Sequence, residues 1–243
     1  VDLPRPGSRT GRDRSMPHQW WRSASRARLP YSTPLPRLGA GVVHKARYER
    51  ALRAELVRTR RGDHKALPLA RTFRVLYMAQ GPSPAVLSML YAKLFSPRSH
   101  FIFLAFKGPR RRQQDLLQFP KSLLGEGRNL LFLAARARER QLGFRYHYLV
   151  WLDDDIRLVY GSVRSFERFL ERWQPAVATP SEYPAHSFVP EYFRCDADQN
   201  KSMCDSAYAA YHLDHNYIAF HAETIDTLWP LDVRFDQECW WTS

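Results

Sequence analysis

Tyr146-His147-Tyr148-Leu149-Val150-Trp151-Leu152-Asp153-Asp154-Asp155-Ile156-Arg157-Leu158 is an apolar and aromatic run that ends in three consecutive carboxylates. Aromatic and branched residues from Tyr146 to Leu152 predict a short buried strand. Such a strand delivers the acidic triplet to the carboxyl edge of a sheet, where open α/β sheets bind their ligands. Three adjacent like charges repel, so the cluster is costly unless a cation binds it. Hard divalent cations such as Mg2+ and Mn2+ prefer carboxylate oxygens and keep positions open for substrate phosphates. The triplet therefore points to a metal-diphosphate site. The other reading of these residues is a strand cap that starts the turn before a helix.

On either side of this run, strand and helix patterns alternate from Arg71 onward, which favours an α/β layered fold. Upstream, Phe73 to Gln80 reads as a first strand stopped by Gly81-Pro82, and Ser83-Pro84 opens a helix through Leu94. His100 to Phe106 is a second strand, followed by the basic loop Arg110-Arg111-Arg112. Gly127-Arg128-Asn129 precedes a helix over Leu130 to Gln141, which Gly143 stops. Downstream, Val163 to Trp173 has helical spacing, Ala176 to Thr179 is a short strand, and a polar loop runs from Ser181 to about Ala207. A strand at Tyr217 to Phe220 and a helix from Ala222 to Leu228 follow, and the segment Phe235 to Trp241 ends the pattern.

A chain of 243 residues with 44% apolar content can bury one substantial core. The net charge of +13 resembles a nucleic-acid signal, but its distribution does not support one. Residues 1–74 carry 18 Lys and Arg against 5 Asp and Glu, whereas residues 75–243 carry 19 against 19. The excess lies wholly in the N-terminal part, and no nucleic-acid partner is expected. Val1 to about Pro36 is dense in Pro, Ser and Arg, and reads as a linker or stem. Trp20-Trp21 and the arginines around them could bind phosphate or a membrane surface, with a solvated tail the favoured reading. Val42 to Arg60 predicts a basic helix with Val43, Ala46, Ala51, Ala54 and Leu56 as its apolar positions. The domain expectation is a basic arm with one helix over residues 1–70 and a catalytic domain over 71–243, incomplete at its C-terminal end.

No apolar run is long enough to span a membrane. The lack of an initiator Met suggests a fragment whose anchor lies outside the sequence. Cys195, Cys204 and Cys239 are too few and too irregular for a zinc framework. Cys195 and Cys204 read either as a local disulfide or as two thiols.

Taken in order, a strand, helix, strand, basic loop, Gly-Arg-Asn helix, Asp-triplet strand and late acidic segment beside tryptophans resemble the nucleotide-sugar-dependent glycosyltransferases of the GT-A fold. The residues that carry the resemblance are Arg128-Asn129, Asp153-Asp154-Asp155 and Asp236-Gln237-Glu238, and it covers roughly Phe73 to Ser243. It implies a GT-A-like, Rossmann-like mixed sheet flanked by helices. It also implies a DxD motif whose carboxylates hold Mn2+ or Mg2+ against the diphosphate of the donor. On that mapping Asp155 ligates the metal, Asp153 contacts metal or ribose, and Asp154, Arg128 and Asn129 belong to the donor site. Arg128, at a helix start, could also meet the phosphates on chemical grounds, its other reading being a solvated terminal arginine.

The resemblance places a catalytic base at Glu238 or Asp236, with Glu238 preferred. A carboxylate beside Trp240 and Trp241 would be partly desolvated, which raises its proton affinity. Those tryptophans could pack against the faces of an acceptor sugar, or belong to the core. His212-Leu213-Asp214-His215-Asn216 lacks the spacing of a helical zinc site, so His215 is placed with the acceptor. His221 is a substitute candidate for a distant metal ligand. The expected function is transfer of a sugar from a nucleotide-sugar donor to a hydroxyl of a glycan or glycoprotein acceptor, with inversion favoured, in the Golgi or another secretory lumen. Membrane association is expected only through an absent anchor or the basic arm. Rival readings are another metal-dependent phosphoryl- or nucleotidyl-transfer enzyme, and a non-enzymatic basic binding module.

Overall fold

The computed structural model of the chain describes residues 42–83, 96, 98–107, 116–154, 162–180 and 217–231. The arm before Val42, the helix expected after Ser83, the basic loop at Arg110, the polar loop from Ser181 and all three cysteines lie outside these residues.

Six strands form one mixed sheet: β1 (Val75–Gly81), β2 (Ser99–Ala105), β3 (Leu116–Gln118), β4 (Tyr148–Asp153), β5 (Val177–Ala178) and β6 (Tyr217–His221). Their order is β3-β2-β1-β4-β6-β5. β1, β2, β3 and β4 are parallel neighbours, β6 is antiparallel to β4, and β5 is antiparallel to β6. Parallel strands are covered on both faces, which is why β1 is buried at every position and reads as an apolar run from Val75 to Ala79. β3 escaped the sequence reading because three residues are too few to show a period.

Helices cover the two faces separately. Leu76, Met78, Ile102, Leu104, Leu149 and Trp151 pack under α2 (Leu124–Leu142), with α1 (Lys45–Arg61) beside it. The alternate residues Val75, Tyr77, Phe103, Tyr148, Val150 and Leu152 pack against α3 (Val163–Trp173). A short α4 (Ile225–Leu228) follows β6, where the sequence predicts a longer helix from Ala222. α3 has the predicted bounds, and the Ser162 side chain caps it by accepting from Ser165 N–H at 3.1 Å.

Two expectations are corrected. Helix α2 begins at Leu124 rather than Leu130, so Gly127, Arg128 and Asn129 are inside it. At its true start the Glu126 carboxylate accepts from Leu123 N–H at 3.1 Å and satisfies an N-terminal donor. It also pairs with Lys45 at 3.0 Å. The helix then stops as predicted, with Gly143 left-handed at φ +74° and its N–H bonded to Glu139 O.

The buried stripe of α1 matches the predicted one only in part: Val43 is buried and Leu56 half-buried as expected, but two predicted positions are not. Tyr48 and Glu55 are buried, Ala51 and Leu52 half-buried, while Ala46 and Ala54 face solvent. A carboxylate occupies the core side because it is paired: Glu55 lies 2.7 Å from His64 Nε2, 3.0 Å from Arg140 and 3.1 Å from Arg58. Burial pushes its carboxyl up, but the hydrogen bonds and charges of His64 and Arg140 outweigh that and hold it down at about 2. Val43 and Tyr48 belong to the main core, and Leu69 bridges to Arg145, so residues 42–70 are packed against the sheet and its helix layer.

α2 is buried on every side from Gly125 to Glu139, charged residues included. Arg136 pairs at 2.5 Å with both Glu139 and Asp226, and Glu139 also accepts from Tyr146 N–H at 3.0 Å. On the other face Glu167 is buried, accepting from Ser96 Oγ at 2.7 Å and Tyr77 Oη at 3.3 Å. Burial pushes that carboxyl up despite these bonds.

Candidate functional site

Chain order reverses between β1 and β4: β2 and β3 lie on one side of β1, and β4 on the other. At such a switch point the connections leave in opposite directions and open a crevice at the carboxyl ends of the strands. Gln80 pairs in register with Asp153, and Gly81 is the next residue of β1. Asp153 and Asp154 therefore stand at that crevice, as the apolar run predicted. Asp154 closes over Gly81 so tightly that a β-carbon there would stand 2.7 Å from Oδ2 and 2.9 Å from Phe103 Cζ.

Alternation along β4 puts Asp153 on the α2 side, with Leu149 and Trp151. Its Oδ1 accepts from Trp151 Nε1 at 3.2 Å and lies 3.6 Å from Arg128 Nη2. The Arg128 guanidinium sits over the Trp151 ring, 4.3 Å from its centroid. Arg128 is thus neither a solvated helix-terminal arginine nor a group at a helix start. With 2% of its side chain exposed, it bears on the site through Asp153, which is 29% exposed.

Asn129, expected at the donor site, faces elsewhere. It is wholly buried, its Oδ1 accepts from Leu231 N–H at 2.7 Å, and its Nδ2 donates to Leu231 O at 2.9 Å. A carboxamide used at both ends against one backbone residue is a structural clip, with a further contact to Tyr48 Oη at 3.4 Å. His221 is likewise excluded as a metal ligand beside the triplet. β6 is antiparallel to β4 and begins with Tyr217 opposite Leu152, so His221 lies opposite Tyr148, at the far end of the strand. There its Nδ1 accepts from Glu223 N–H at 3.3 Å, and burial pushes its pKa down.

Asp155, His215, Asp236, Glu238, Trp240 and Trp241 lie outside the described residues. Among the described residues no group of three Asp, Glu, His or Cys side chains is placed to hold a metal. Two residues that shape the crevice went unread in the sequence. Gln80, 6% exposed, aims Oε1 at Gly127, where a β-carbon would stand 2.1 Å away, and Gly127 lets helix and strand meet that closely. Gly81 signalled only a strand end. Glycines 46 residues apart and facing one strand pair are legible as a pair only once the topology is known.

No helix among the described residues is long and apolar enough to cross a membrane. Compared with known proteins, the chain matches no family model, no curated protein and no solved structure.

Proposed function

We propose that the chain is a metal-dependent glycosyltransferase that moves a sugar from a nucleotide-sugar donor to a hydroxyl of a glycan or glycoprotein acceptor. The observation that supports this most is the placement of Asp153 and Asp154 at the switch-point crevice, with Asp153 held by Trp151 and Arg128. The six-stranded mixed sheet flanked by helices is also the coarse architecture that a GT-A-like fold requires.

The donor set fits a hard divalent ion, since acidic oxygens line a strand edge and Gly81 leaves room for the Asp154 carboxylate. When bound, Mn2+ or Mg2+ would neutralise charge on the departing nucleoside diphosphate. Asp154 and Asp155 are the carboxylates that would hold it. Asp153, already facing a guanidinium, is better suited to accept hydrogen bonds from donor ribose hydroxyls. Arg128 and Trp151 orient that carboxylate.

Glu238 or Asp236 would take the acceptor proton, with Trp240, Trp241 and His215 at the acceptor. The Asn129 clip ties Leu231 to α2. Inverting transfer in a secretory lumen, most simply the Golgi, goes with this reading.

Calorimetric titration of UDP and GDP tests it, with and without Mn2+, in the wild type and in Asp153→Asn/Asp155→Asn. Metal-dependent binding of one nucleotide, lost in the double variant, is the expected outcome. A folded wild type that binds neither nucleotide with Mn2+ present sinks the proposal.

A further inference from the structure

Helices α1 and α2 run side by side in the same direction, since Lys45 meets Glu126 near their starts and Glu55 meets Arg140 near their ends. Between them lies a groove of about 370 Å³ whose walls carry Arg47, Arg50 and Arg58 of α1 and Arg140 of α2. Its apolar lining includes Ala54 and Leu133, and among the described residues Glu55 is its one carboxylate. From Arg47 to Arg58 the groove follows α1 for on the order of 16 Å, at the helical rise per residue.

The ordinary explanation for basic residues on a helix is the macrodipole, which favours cations in the last turn. That accounts for Arg58, Arg60 and Arg61. It does not account for Lys45, Arg47 and Arg50, which stand in the half where the dipole disfavours them, in a helix with no acid in its first turn. Lys45 has Glu126 as a partner, whereas Arg50 has no ion pair among the described residues. Over its 17 residues α1 carries seven Lys and Arg against two Glu. Arg58 and Arg140 pair with Glu55, yet four arginines converge on the groove against that single carboxylate, which leaves the concavity positively charged.

We propose that the α1–α2 groove is a second binding site, built for an extended anionic polysaccharide. Guanidinium groups bind sulfate and carboxylate in two-point contacts, and arginines along both walls suit a chain that repeats such groups. Ala51 and Ala54 in the lining are small, which leaves room for sugar rings between the arginines. Among the described residues no aromatic ring lines the groove, so nucleic-acid bases find no ring there to stack on. A concave groove also matches a chain better than the plane of a membrane. The site is separate from the Asp153 crevice, and its test reads binding alone, so failure here and failure of the transferase reading are distinguishable.

The test uses the full chain and a fluorescent sulfated octasaccharide of the heparin type at physiological salt. Ala54→Glu puts a carboxylate in the groove at an exposed position, four residues from both Arg50 and Arg58, where it also supports the helix. Arg26→Gln/Arg28→Gln removes two arm charges as a control. The expected result is affinity lowered about tenfold or more by Ala54→Glu and less than about twofold by the control, as loss of charge-assisted contacts implies. Thermal melting should show Ala54→Glu folded. Arg50→Gln, which adds no charge, should lower affinity in the same direction. Unchanged affinity in Ala54→Glu overturns the proposal, as does an equal loss in the arm control. So does a thymidine oligonucleotide or phosphatidylserine vesicle whose binding suffers more from Ala54→Glu than the octasaccharide does.

Discussion

Gly81 and Asp154 meet at the carboxyl edge of the sheet, where a β-carbon on the glycine would stand 2.7 Å from Oδ2 and 3.0 Å from Cβ of the aspartate. Buried Phe103 would stand at 2.9 Å as well, so two neighbours must shift at once. Gly81→Ala should push Asp154 out of place and destabilise the fold by about 1–3 kcal/mol, as overpacking does. Mn2+-dependent nucleotide binding should fall more steeply than stability, which calorimetry and denaturant titration on one preparation would compare. An alanine variant that binds like the wild type would remove Asp154 from the site.

Arg128 offers a test of positioning against direct contact. Arg128→Met keeps an apolar stem over Trp151 and removes the charge that faces Asp153. Nucleotide affinity should drop about tenfold, with about 2 kcal/mol lost in stability as a buried charged partner disappears. Arg128→Lys should recover only part, because a point charge does not reproduce a guanidinium stacked on an indole. Full recovery by lysine would argue against the stacked geometry.

Asn129→Ala separates clip from donor ligand. Losing two hydrogen bonds to Leu231 at a fully buried position should cost about 2–3 kcal/mol, read as a lower denaturation midpoint. Nucleotide affinity of the folded fraction should change less than about twofold, a small effect on the scale of tenfold per 1.4 kcal/mol. A folded variant that has lost nucleotide binding would restore Asn129 to the donor site.

Acid should loosen the molecule in two stages. Burial, then the charges of Arg138 and Arg74, hold His100 down at about 4 from its ordinary 6.5. A depressed histidine stabilises the fold above its unfolded value, and that stability is lost as pH falls from about 6.5 to about 4. Glu55, held at about 2 from an ordinary 4.5, adds a second loss as pH falls through that lower range. Each effect is on the order of 3 kcal/mol. Denaturation midpoints measured from pH 7 to 2 should flatten in the upper window for His100→Gln and in the lower window for Glu55→Gln.

The strands were readable because their residues are buried on both faces, which leaves an unbroken apolar run whatever lies across the sheet. The faces of α1 were not, because Glu55 is held in the core by His64 and Arg140, nine and 85 residues away, and no helical period encodes a distant partner. The start of α2 was missed for a related reason. Gly127-Arg128-Asn129 was read as the approach to the helix, while the Glu126 bond to Leu123 N–H and the close approach of Gln80 to Gly127 put them inside it. The acids of β4 were visible as candidates, but the arginine that faces one of them became a partner only when α2 crossed over β4.

A helix buried on every side has no exposed flank from which to fray. The amide protons of Asn129 to Glu139 should therefore exchange with solvent only when both helix layers come apart, at the slow limit set by global opening. Arg128, and through it Asp153, is mounted on that same element. Local breathing elsewhere in the molecule should leave this part of the crevice intact, and heat should abolish nucleotide capture and the cooperative core in a single transition.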